Sequence, residues 1–96
     1  MSNPQTAAAP QVSRLKKIEW YAGQLASQAV AKEKEGRIGD AVVDYLQAAD
    51  LLLLLAKNQE NYTIWKDYAD RATACQQRVK ILMAKKRLQD EKTASG

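Results

Sequence analysis

The chain contains no histidine and no phenylalanine, one cysteine, two prolines and four glycines. Each scarcity removes a class of explanation. Without histidine, the commonest general base and metal ligand is missing. A single cysteine, Cys75, can close no intrachain disulfide and supplies no thiolate pair for a metal. The closely spaced glycines of GRIG, Gly36 and Gly39, lack the spacing and the Lys-Ser/Thr of a phosphate-binding loop. No pair of carboxylates has a reason to be buried. These gaps argue against an enzyme, and no cofactor is expected. Long apolar runs are absent too: no stretch reaches the roughly 18 residues of a membrane span, and the N-terminus lacks the apolar core of a secretory signal. A soluble cytoplasmic chain with no direct membrane insertion is expected.

What is present is alanine, leucine and charge. The length of 96 residues suits one small domain. With only four tyrosines and two tryptophans as aromatics, the core must be built from small and aliphatic side chains, which favour helices. The net charge of +4 is modest, and part of it sits near the ends in RLKK (Arg14 to Lys17) and KKR (Lys85 to Arg87). The polar ends MSNPQTAAAPQ and DEKTASG have the composition of tails. The expected organisation is a disordered N-terminal tail over residues 1–12, a folded body over 13–88, and a C-terminal tail or linker over 89–96.

Three helical segments are expected from apolar residues recurring at spacings of three and four. The first spans Ser13 to Glu35, with Leu15, Ile18, Ala22, Leu25 and Ala29 as its stripe, Ser13 as N-cap and Gly36 as stop. The second spans Ile38 to Lys57, with the stripe Ile38, Ala41, Tyr45, Ala48, Leu52 and Leu55. The third spans about Thr63 to Leu88, with the stripe Trp65, Tyr68, Ala72, Cys75, Val79 and Leu82, and the charged, helix-compatible run from Lys85 to Lys92 allows it to extend past the bundle. Short breaks, EGRIGD and KNQENYT, make neighbours antiparallel. The fold class is therefore all-α, an antiparallel up-down-up three-helix bundle.

The second helix carries five consecutive leucines, Leu51 to Leu55. Successive side chains turn by about 100°, so five in a row point all round the helix. With Leu52 at the centre of the core face, Leu55 falls beside it. Leu51 lies on one flank next to Asp44, and Leu53 on the other above Leu46 and Val42. Leu54 points away with Val43 and Asp50. The polar face is expected to carry Asp40, Asp44 and Asp50, which anionic lipid would repel. The open question is whether the Leu46–Leu53 flank is closed by the third helix or left free for a partner.

The most specific local pattern is Gly36-x-Ile38-x-x-Ala41-x-x-x-Tyr45-x-x-Ala48, a tight helical corner in which two alanines admit close backbones and a tyrosine fills the gap. Tetratricopeptide repeats share it, but they need copies at a period of about 34 residues, and Asp70 stands at that distance from Gly36. The single three-helix MIT domain (microtubule interacting and trafficking) also shares it. ASQAVAKEKEGRIGDAVVDYLQAADLLL resembles that family's passage from first to second helix, and YADRATA (Tyr68 to Ala74) resembles its Tyr-Leu-Asp-Arg-Ala-Glu-Lys stretch. The resemblance covers about Leu15 to Leu88. Arg37 replaces the family's asparagine after the corner glycine, so that cap is lost. Asp40 in the first turn partly compensates through the helix dipole.

The resemblance implies a binding module that recognises a short C-terminal motif of an ESCRT-III-like filament protein and brings an attached AAA ATPase to the filament. Archaeal relatives of such ATPases act in cell division. Recruitment to a membrane is then expected only through the filament. Family ligands lie either as an extended strand between the first and third helices or as a helix between the second and third. For the first groove the corresponding residues are Glu19, Ala22 and Ala26 on the first helix. On the third they are Ile64, Tyr68, Arg71, Cys75 and Arg78. For the second groove they are Val42, Leu46 and Leu53 facing Ala69, Thr73 and Gln76. Ala69 replaces the family's groove leucine, which tilts the expectation toward the first groove. Two other readings remain from the residues alone: a nucleic-acid-binding bundle, which the acidic middle helix opposes, and a structural oligomerisation bundle. No nucleic-acid partner is expected.

Overall fold

A computed structural model describes the backbone of residues 4–95 and the side-chain surroundings of residues 13–93. It is all-helical, with α1 at Pro4–Lys34, α2 at Ile38–Lys57 and α3 at Tyr62–Ser95 in up-down-up order. Both long helices exceed their expected bounds. Ser13 lies inside α1, not at its cap, and α3 runs past Leu88. Of the expected N-terminal tail, residues 1–3 lie outside the described residues, and from Pro4 onward the backbone is helical. Proline suits a first helical position, and the following alanines favour helix without needing an apolar stripe. A stripe marks only the part of a helix that packs.

Local chemistry sets the corners. Gly36 adopts φ +80°, and the Arg37 amide donates to the Lys32 carbonyl at 2.9 Å while the Gly36 amide donates to Glu33 at 3.0 Å. These two reverse bonds satisfy the last carbonyls of α1, and the left-handed backbone they require favours glycine. Arg37 makes no side-chain cap for α2; its guanidinium instead pairs with Asp40 at 2.8 Å in the first turn. At the other end, the Asn58 amide side chain donates to the Leu54 carbonyl at 2.8 Å. Asn61 Oδ1 accepts from the Ile64 amide at 3.2 Å, which caps the start of α3.

The core lies on both sides of α2. Ala41, Ala48, Ala49, Leu52, Leu55 and Ala56 are buried there, with Ala22, Leu25 and Ala29 from α1 and Tyr68, Ala72, Cys75 and Leu82 from α3. Alanine-rich seams allow α2 to approach both neighbours closely, whereas α1 and α3 come close at hardly any point. Leu55 and Leu82 are the largest fully buried side chains, each worth roughly 1.5–3 kcal/mol against exposure.

Two expectations change. Trp65 is not core: it is 42% exposed and stacks on Tyr62 with ring centroids 5.7 Å apart. It sits in the first turn of α3, at the end of the bundle. Asp44 is not on the solvated face: it is 7% exposed and paired with Lys32 at 2.6 Å. Its flank of α2 faces α1, and the opposite charge there makes burial tolerable. The molecule measures 72 × 22 × 15 Å. Beyond Leu82, residues 83–93 of α3 are all exposed, so that helix continues past the packed body.

Candidate binding grooves beside α3

The ladder divides by flank. Leu52 and Leu55 are core, and Leu51 is half-buried beside Asp44. Leu54 lines a shallow hollow with Arg14, Leu15, Ile18 and Asn58 at the outer α1/α2 seam. Because the Asp44 flank faces α1, the opposite flank of α2 borders α3. There Val42 is buried, but Leu46 remains 44% and Leu53 37% exposed. α3 does not close over them.

The facing side of α3 follows from the same argument. Arg78 reaches Glu33 of α1, so the flank of α3 bearing Tyr62, Trp65, Ala69, Thr73 and Gln76 lies on the α2 side. Ala69 is half-buried, while Thr73 and Gln76 are exposed. The Thr73 hydroxyl already donates to the Ala69 carbonyl at 3.0 Å, and Gln76 is exposed one turn further on. This groove therefore has leucines on one wall, a small residue at the floor of the other, and the Tyr62–Trp65 stack toward one end. Sequence reasoning placed Trp65 in the core and did not include Tyr62. Their position in the turn that follows Asn61 was the available signal.

The α1/α3 groove is built differently. Ala22, Tyr68 and Cys75 are buried and form its floor, Ala26 is half-buried, and Glu19, Ile64 and Arg71 are exposed. Several of its polar groups are already engaged with each other. Burial raises the Tyr68 phenol above its ordinary value, and the Glu19 carboxylate adds to this by charge and hydrogen bonding across the groove. The Arg71 guanidinium stands 5.7 Å from the Tyr68 ring. Burial likewise raises the Cys75 thiol, with nearby Arg71 acting in the opposite direction.

At its upper end the groove is bridged. Glu33 Oε2 accepts from the Tyr45 hydroxyl at 3.0 Å and from Arg78 Nε at 3.1 Å, while its other oxygen pairs with the second Arg78 nitrogen. One carboxylate thus ties all three helices together. Arg78, expected as a ligand contact, is committed to this bridge. The missed residue is Glu33. It continues the α1 stripe four residues after Ala29, and a buried tyrosine hydroxyl requires a partner.

Among the described residues, no cluster of three or more histidine, cysteine, aspartate or glutamate side chains is placed to hold a metal. No described helix is long and apolar enough to cross a membrane. No family model matches the chain, and neither a curated protein nor a solved structure does so.

Proposed function

We propose that this bundle is an MIT-like adaptor that binds a short C-terminal motif of an ESCRT-III-like filament protein, and that its site is the α2/α3 groove. In this reading the module carries an attached or associated AAA ATPase to the filament and has no catalytic role of its own. Membrane recruitment follows from the filament partner. The observation that supports the site is the exposure of Leu46 and Leu53 along the flank bordering α3. Half-exposed leucines beside a small residue offer sockets for the apolar face of an amphipathic helix. Two such anchors, at roughly 1.5–3 kcal/mol each when fully buried, supply only part of the about 8 kcal/mol of micromolar-class binding, so further contacts along the ligand helix must supply the rest.

The α1/α3 groove is the weaker candidate because Arg78 is already bound to Glu33, and the Tyr68 phenol already feels the charge of the Glu19 carboxylate. A ligand there must compete with these contacts. Amide NMR titration with tail peptides of ESCRT-III-like proteins tests the reading. Shifts are expected along Leu46, Leu53, Ala69 and Gln76, with binding abolished by Leu46→Asp and Leu53→Asp. If saturating peptide leaves every amide in place, the adaptor reading is wrong. Shifts confined to Ala26, Ile64 and Arg71 would move the site to the other groove.

A further inference from the structure

The side of α3 that faces neither neighbour also has a pattern. Ala74, Gln77, Ile81, Ala84 and Leu88 recur at alternating spacings of three and four, opposite the buried stripe of Ala72, Cys75 and Leu82. All five are exposed, Ile81 at 47% and Leu88 at 58%. A seam of this period lets a second helix pack along α3 with knobs into holes. Its flanks are of one sign. Between Asp70 and Asp90 the chain has no acidic residue and six basic ones. Three of these are engaged: Arg71 with Asp67, Arg78 with Glu33 and Lys86 with Asp90. The remaining three, Lys80, Lys85 and Arg87, border Ile81, Ala84 and Leu88 directly.

We propose that this outer face of α3 is a second docking surface, for an acidic amphipathic helix of a partner protein. In heptad terms Ile81 and Leu88 occupy a, Ala84 occupies d, and Lys80, Lys85 and Arg87 fill the g and e positions that select partners by charge. A second copy of the chain is disfavoured in either orientation, because these cations would meet their own kind. Nucleic acid has no use for Ile81 and Leu88. A lipid surface needs a broader apolar face than two large side chains provide. A helix with leucines at the seam and glutamates beside it satisfies both features at once. The surface is separate from the α2/α3 groove and does not depend on it.

The probe is a three-heptad synthetic peptide with leucine at a and d and glutamate at e and g, titrated into the whole chain at low salt. The amides of residues 74–88 are expected to shift. The double variant Ile81→Ser/Leu88→Ser should abolish binding with unchanged helical circular dichroism. The double reversal Lys85→Glu/Arg87→Glu should weaken it by roughly tenfold or more. Leu46→Asp should leave it unaltered, which separates this surface from the groove. A control peptide with serine at a and d should not bind. The proposal is overturned if the probe does not bind or if binding survives Ile81→Ser/Leu88→Ser. It is equally overturned if anionic vesicles or duplex DNA shift these amides more strongly than the peptide, or if the free chain dimerises through them.

Discussion

Replacing Glu33 with alanine tests how the three helices are held in register. The carboxylate is 18% exposed and its partner Arg78 37%. A hydrogen bond to a charged group contributes roughly 1.5–3 kcal/mol, and solvent screening at a site this exposed places the Arg78 bond at the low end. Tyr45, itself buried, loses the acceptor of its hydroxyl, which adds about 1 kcal/mol. The sum is a loss of about 2.5 kcal/mol, or a fall in Tm of roughly 10–20 °C for a domain of this size. Glu33→Gln keeps an acceptor and the side-chain shape, and should lose about half as much. Urea unfolding followed by circular dichroism measures both. A double-mutant cycle of Glu33→Ala with Arg78→Ala should show a coupling of about 1 kcal/mol that shrinks in high salt. A loss below about 0.5 kcal/mol, or strictly additive variants, would refute the assignment of Glu33 as the common tie.

The leucine ladder makes a contrast: Leu52→Ala should cost about 2–5 kcal/mol, whereas Leu54→Ala should stay near 0.5 kcal/mol or less. Equal losses in urea unfolding would contradict the division of the ladder. Gly36→Ala forces a side chain into φ +80° and should cost roughly 1–2 kcal/mol, seen in the same assay. Burial raises the Cys75 thiol above 9.0 and the Tyr45 and Tyr68 phenols above 10.0. The unfolded chain therefore releases these protons first as pH rises. Stability should be fully retained below about pH 9 and fall above it; unfolding curves at pH 7 and pH 10 that coincide would count against this.

Much of the fold was legible in the sequence because its corners are local chemistry. Gly36 has the left-handed backbone that ends α1, and the break KNQENYT holds two asparagines, of which Asn58 binds one carbonyl at the end of α2 and Asn61 one amide at the start of α3. The stripe of α2 was legible for a further reason: α2 packs on two sides, so its period of three and four is full and regular. Trp65 deceived because it keeps the period of the α3 stripe one turn past the point where the body can cover it. Asp44 deceived because its burial depends on Lys32, twelve residues away, and a wheel of one helix does not show the other. The same limit hid Glu33, whose partners lie on α2 and α3. Of the α1/α3 set, the apolar floor was legible, but the prior engagement of Arg78 is a property of the assembled helices. The openness of the Leu46–Leu53 flank likewise depends on the helix beside it.

The projection of α3 beyond Leu82 and the extension of α1 to Pro4 have a mechanical consequence. In an up-down-up bundle, the first and third helices run in the same sense, so the two ends of this chain leave from opposite poles. Tension applied through those ends draws α1 and α3 along their axes in opposite directions. It loads the long seams with α2 and the Glu33 tie in shear, all at once, instead of opening them one contact at a time. A bundle loaded in this way resists end-to-end tension more than one whose helices peel apart in turn.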